Sequence, residues 1–98
     1  MLIAGEIAGF DIGQYDMLVH IQNEYDGKWY KCLGDANIYA DTVRLLAKNK
    51  DRVKITGDIR QREIYHTPGV QQGVLIISFL EQLHESSEDF NFRLTGAL

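Results

Sequence analysis

Two groups of side chains in this 98-residue chain have types and spacings suited to chemistry. Trp29, Tyr30 and Lys31 are consecutive. Lys54, Arg60 and Arg62 share one parity of RVKITGDIRQREIY, Arg52 to Tyr65, a stretch that closes on a further aromatic. Aromatic rings stack on unpaired bases and basic groups neutralise phosphates, so the combination fits a surface for single-stranded nucleic acid. Other chemistries find less support. His20, His66, His84 and Cys32 lack the spacing of metal ligands. Gly5, Gly9 and Gly13 do not open a helix, as a phosphate loop must. One thiol in an apolar strand reads as a small core residue. The sequence therefore predicts a non-catalytic protein without metal or cofactor. Phe10, Tyr39 and Phe79 read as packing residues, whereas Tyr15 and Tyr25 fall in loops that would flank the binding face.

The formal charge of −4 opposes this reading only if the charges are evenly mixed. They are segregated: Lys28 to Arg62 holds nine of the ten basic residues against four acidic ones, and the remainder holds Arg93 against ten carboxylates. Binding responds to local potential, so the basic segment counts for more than the total. Lysines on strand and helix surfaces also occur without any ligand. Cys32 has no second cysteine to pair with and no apolar run approaches the length of a membrane helix, which together with the absence of a signal-peptide pattern gives a cytoplasmic expectation.

The elements that must position these residues follow from periodicity. Met1 to Ala8 reads as a first strand, with a glycine-flanked hairpin loop from Gly9 to Gly13. In Asp16 to Gln22, Met17, Val19 and Ile21 alternate inward, leaving Leu18, His20 and Gln22 outside. Asp26-Gly27 signals a hairpin turn, and Lys28 to Gly34 forms a third strand with Trp29, Lys31 and Leu33 on one side and Tyr30 and Cys32 on the other; periodicity leaves open which side is inward. Ile38 to Lys48 is helical, capped by Asn37, with Ile38, Thr42, Leu45 and Leu46 on one face. In the fourth strand Val53, Ile55, Gly57 and Ile59 share the inward row, and Gly57 marks a bend. A turn through His66 to Gly69 leads to a fifth strand, Val74 to Leu83. Five strands with one helix between the third and fourth is the layout of an all-β OB-fold barrel, with an open α+β sheet as the competing architecture. Residues 1–84 form the OB-fold domain and residues 85–98 an acidic, loosely held tail.

LLAKNKDRVKITGDIRQREIY, Leu45 to Tyr65, resembles the bacterial single-stranded DNA-binding proteins. Their lysine-rich helix end and V-x-I-x-G-x-[LI]-[RQ]-x-R strand are matched by Val53, Ile55, Gly57, Ile59, Arg60 and Arg62. The resemblance spans Lys28 to Leu83, and a compact phage, plasmid or primosomal relative fits best. The first hairpin is shorter than the family's, and Tyr65 stands where tryptophan is frequent. The resemblance implies base stacking and phosphate contacts at Trp29, Tyr65, Lys54, Arg60 and Arg62; position beside them adds Tyr30 and Lys31.

The function expected is sequence-tolerant binding of single-stranded DNA in replication, recombination or repair, by a homodimer or homotetramer working with proteins of those processes. RNA is not separated from DNA by any residue in the chain. The alternative is an OB-fold protein–protein module of an assembly, because this fold does not by itself specify function.

Overall fold

The computed structural model describes residues 1–64 and 68–83. Tyr65, His66, Thr67 and the 85–98 segment expected to be a tail lie outside the described residues. The strands are β1 (Leu2–Ile12), β2 (Asp16–Gln22), β3 (Trp29–Asp35), β4 (Arg52–Glu63) and β5 (Gln71–Gln82), with helix α1 (Ala36–Asn49) between β3 and β4. They close a barrel in the order β1-β2-β3-β5-β4. Neighbours are antiparallel except β3 and β5, which pair in parallel through Cys32 with Leu75 and Leu33 with Ile76. This is the OB barrel expected from the strand order.

Alternation drives the core. Met17, Val19, Ile21, Val53 and Ile55 are fully buried on inward rows, joined by Ile3, Cys32 and Leu75. Burying each large aliphatic side chain contributes roughly 1.5–3 kcal/mol. Gly57 lies on the inward row because nothing larger fits. A Cβ there would lie 1.9 Å from the Ile76 carbonyl oxygen and 2.7 Å from Leu75 Cδ2. Beside it the β4–β5 register shifts between Thr56 and Gly57, where Ser78 is the additional residue. Burial pushes the Cys32 thiol up to about 12, so at neutral pH it is a protonated, apolar group.

Three local expectations are corrected. β1 runs on to Ile12, because the register shift between Ile7 and Gly9 is a bulge within the strand and not the start of a loop. The helix begins at Ala36 with Asp35 as N-cap, whose carboxylate accepts from the Asn37 N–H at 2.8 Å. Its buried face is Ala36, Ala40, Val43 and Leu46, while Ile38 and Leu45 are exposed. Alanines let the helix sit close to the barrel, a seat that larger side chains would hold apart. Finally, Ile59 keeps the parity of Val53 and Ile55 yet is 47% exposed, because this part of β4 has run past the core.

A second, smaller core anchors the outer half of the β4–β5 hairpin. Leu18, Ile64 and Val74 are buried together, with Leu33 and Ile76 packed against them. Leu18 and Leu33 are opposite each other on the outer face of β2–β3. Ile64 therefore ties the end of β4 to that face, and the hairpin lies beside it.

Candidate nucleic-acid interface

Register settles which side of β3 faces outward. Trp29 pairs with Gln22, Lys31 with His20 and Leu33 with Leu18, whereas Tyr30 and Cys32 pair with the inward Ile21 and Val19. Trp29 is 64% exposed at the start of its strand. The turn before it is held firmly. Asn23, 3% exposed, accepts at Oδ1 from the backbone N–H groups of Ala4 at 3.2 Å and Tyr25 at 3.3 Å. The Glu24 N–H also donates to the Ala4 carbonyl at 2.8 Å, and Gly27 adopts the left-handed φ of 73° that the turn requires. The platform under Trp29 is thus fixed to β1 as well as to β2.

Tyr30 does not join this platform. It packs against the core from the inward side and its hydroxyl donates to Asp26 Oδ2 at 2.7 Å. That bond lowers the Asp26 pKa and raises the Tyr30 pKa from their ordinary values. The sequence places Tyr30 next to Trp29, but a strand sends adjacent residues to opposite faces.

Basic groups continue outward from Trp29 along a connected route. Lys31, two residues on, reaches from β3 to β5, where its Nζ donates to Gln72 Oε1 at 2.7 Å. Gln72 is directly opposite Arg62, and Val74, next on the same face, is opposite Arg60. Arg60 and Arg62 are both exposed. Among the described residues the Arg60 guanidinium has no hydrogen-bond or ion-pair partner, and Arg62 Nη1 donates to the carbonyl of its neighbour Gln61 at 2.9 Å. Trp29, Lys31, Arg62 and Arg60 therefore share one outer face as a strip, on which Leu33 and Ile76 are partly exposed and Leu18 and Val74 are buried with Ile64.

Lys54 is separated from that strip. In register it lies between Ala4 and Glu81, six residues along β4 from Arg60, or about 20 Å of extended chain. Its Nζ is 2.8 Å from Glu81 Oε1, and this bond raises its pKa above the ordinary lysine value. Arg52 is likewise committed to Glu24. Tyr65 lies outside the described residues. Sequence reasoning left His20, Gln22 and Gln72 out of the site; β2 parity places the first two on the outer face, whereas Gln72 enters only through the β3–β5 closure. Among the described residues no group of three or more His, Cys, Asp or Glu is arranged to hold a metal ion, and no helix there is long and apolar enough to cross a membrane.

Solved structures share this overall fold. A chain of the S. pombe Stn1-ten1 complex superposes with a TM-score of 0.59 at 14% identity over 96% of this protein, which spans 65% of the length of that chain. OBody NL8 bound to hen egg-white lysozyme gives 0.55 at 15% identity, covering 88% of this protein and 94% of that chain. OBody AM2EP06 bound to the same lysozyme gives 0.56 at 16%, covering 88% and 81%. The chain has the OB fold. No family model and no curated protein sequence matches it, so these relationships are ones of fold alone.

Proposed function

We propose that this protein binds single-stranded DNA on the outer face of β2–β3 and the adjoining face of the β4–β5 hairpin. The observation that carries the reading is the junction at Gln72: its bond to Lys31 brings the basic end of the hairpin, Arg62 and Arg60, onto the sheet face that presents Trp29. Bases stack on the exposed indole, and Lys31, Arg60 and Arg62 hold phosphates, with His20 beside Lys31. Lys54 is left out of the strip. One stacked base is worth roughly 1–3 kcal/mol, enough for useful affinity when combined with several phosphate contacts. Such a surface serves replication, recombination or repair, and a homo-oligomer would align several strips along one strand.

The test is fluorescence anisotropy of a labelled thymine oligomer titrated at low and high salt. Affinity should fall as salt rises, with a log–log slope of about 0.7 per neutralised phosphate on a single strand. Absence of binding at low salt would refute the reading. The second reading, a protein–protein module, is favoured by the exposed Ile38 and Leu45 on the solvent side of α1 and would then become the better one.

A further inference from the structure

The depression beside Trp29 has a chemical bias that the stacking interaction does not need. It has a volume of about 350 Å3 and is lined by Glu6, Ile7, Ala8, Gln22, Glu24 and Trp29. Its charged groups are both carboxylates, Glu6 and Glu24. The Gln22 side-chain amide donates one N–H to the Gly27 carbonyl at 2.9 Å, which fixes the amide beside Trp29. Glu24 is joined to Arg52 by two hydrogen bonds, one of them 2.7 Å from Nε to Oε1, so the nearest guanidinium is already engaged. Glu6 is exposed, and among the described residues its carboxylate has neither a hydrogen bond nor an ion pair.

We infer that this depression selects guanine over thymine, with Glu6 as the specificity-determining residue. The inference rests on the proposed single-stranded DNA site and names the base that site prefers. Stacking on Trp29 is available to every base, so discrimination must come from the edge of the ring. Guanine offers N1–H and the N2 amino group side by side, two donors that match the two oxygens of one carboxylate. Thymine offers a single N3–H flanked by carbonyl oxygens at C2 and C4, so it can give one carboxylate oxygen a hydrogen bond but brings a carbonyl oxygen against the other. Adenine and cytosine each bring one amino group next to an acceptor nitrogen and fall between. The carboxylate lies on the β1 side of Trp29 and the cations lie toward β5, so a bound nucleotide can direct its base edge and its phosphate to opposite sides.

The experiment compares a thymine oligomer of twelve nucleotides with an alternating thymine–guanine oligomer of the same length, and with the same oligomer carrying hypoxanthine for guanine. A bidentate contact discriminates by about tenfold or more; with guanine available in half the binding registers, the alternating oligomer should bind about fivefold tighter. Hypoxanthine, which keeps N1–H but lacks the amino group, should recover only part of that gain. Glu6→Gln removes the second acceptor and should bring the guanine-to-thymine affinity ratio close to one, whatever its effect on affinity in general. Equal affinity of wild type for both oligomers, each quenching Trp29, would overturn the selection while leaving the DNA site standing. A guanine preference that survives Glu6→Gln would overturn the role of Glu6. Failure of every oligomer to bind would remove the site and the preference together.

Discussion

Replacing Gly57 tests whether the barrel closes as described. The added methyl of Gly57→Ala would lie 1.9 Å from the Ile76 carbonyl oxygen, 2.9 Å from the Ile76 carbonyl carbon and 2.7 Å from Leu75 Cδ2. Two of these atoms belong to backbone, so rotating a side chain gives no relief and β5 must move away from β4. Leu75 and Ile76 are also the residues through which β5 pairs with β3, so displacement there strains the closure itself. Overpacking of a filled interior costs roughly 1–3 kcal/mol, and a backbone clash belongs at or above the upper end. For a domain of this size 1 kcal/mol corresponds to about 4–8 °C in Tm, which gives a loss of about 12 °C or more. Gly9→Ala is the control, since a Cβ at Gly9 meets no atom within 4 Å; its effect should stay within ~0.5 kcal/mol. Thermal denaturation by circular dichroism reads both. A Gly57→Ala protein melting within two degrees of wild type, a threshold of about 0.5 kcal/mol, would refute the close approach of β5 at this position.

Removing cations should separate the strip from the rest of the basic surface. Arg62→Ala should reduce the salt slope of oligomer binding by about 0.7, while Lys54→Ala, whose amine is held by Glu81, should leave the slope unchanged. The Asp26–Tyr30 bond should contribute stability between the ordinary pKa values of its partners: with Asp26 lowered, the contribution is lost as pH falls from 3.8 through the folded value, and with Tyr30 raised, it is lost as pH rises from 10.0 through the folded value. Tyr30→Phe should remove the alkaline contribution of this pair, reduce the acid one, which the Lys28 N–H bond to Asp26 still sustains in part, and leave oligomer affinity unaltered, because Tyr30 faces away from the strip. Cys32 should resist iodoacetamide at pH 8 in the native protein and react after unfolding, as a buried thiol raised to about 12 requires.

The β2 rows and the position of the helix between β3 and β4 were legible because a period of two puts Met17, Val19 and Ile21 on one row; the burial of Leu18 on the other row depends on Ile64 and Val74 and was not legible. The Asp26-Gly27 turn was legible from its backbone requirement. The helix face was not, because Ala36 and Ala40 carry little hydrophobic signal, and what seats them is the small gap between helix and barrel. Gly9 read as a turn because glycine marks bulges and turns alike, and only the partner strand distinguishes them. The placement of Lys31, Arg60 and Arg62 on the outer face followed from alternation. The engagement of Lys54 with Glu81 depends on a register between residues distant in sequence, including a bulge at Ser78, and single-strand periodicity does not contain it. The same holds for Gln72, whose link to Lys31 exists only once β5 closes the barrel.

Trp29 is the single tryptophan of the chain, so its emission reports directly on the proposed binding face. Titration with an unlabelled thymine oligomer at low salt should quench that emission to a saturable endpoint, and Trp29→Ala should weaken binding by roughly 1–3 kcal/mol with no change in salt slope, since stacking releases no counterions. An oligomer that binds by anisotropy yet leaves Trp29 emission unchanged, with affinity indifferent to Trp29→Ala, would contradict the placement of single-stranded DNA on this face.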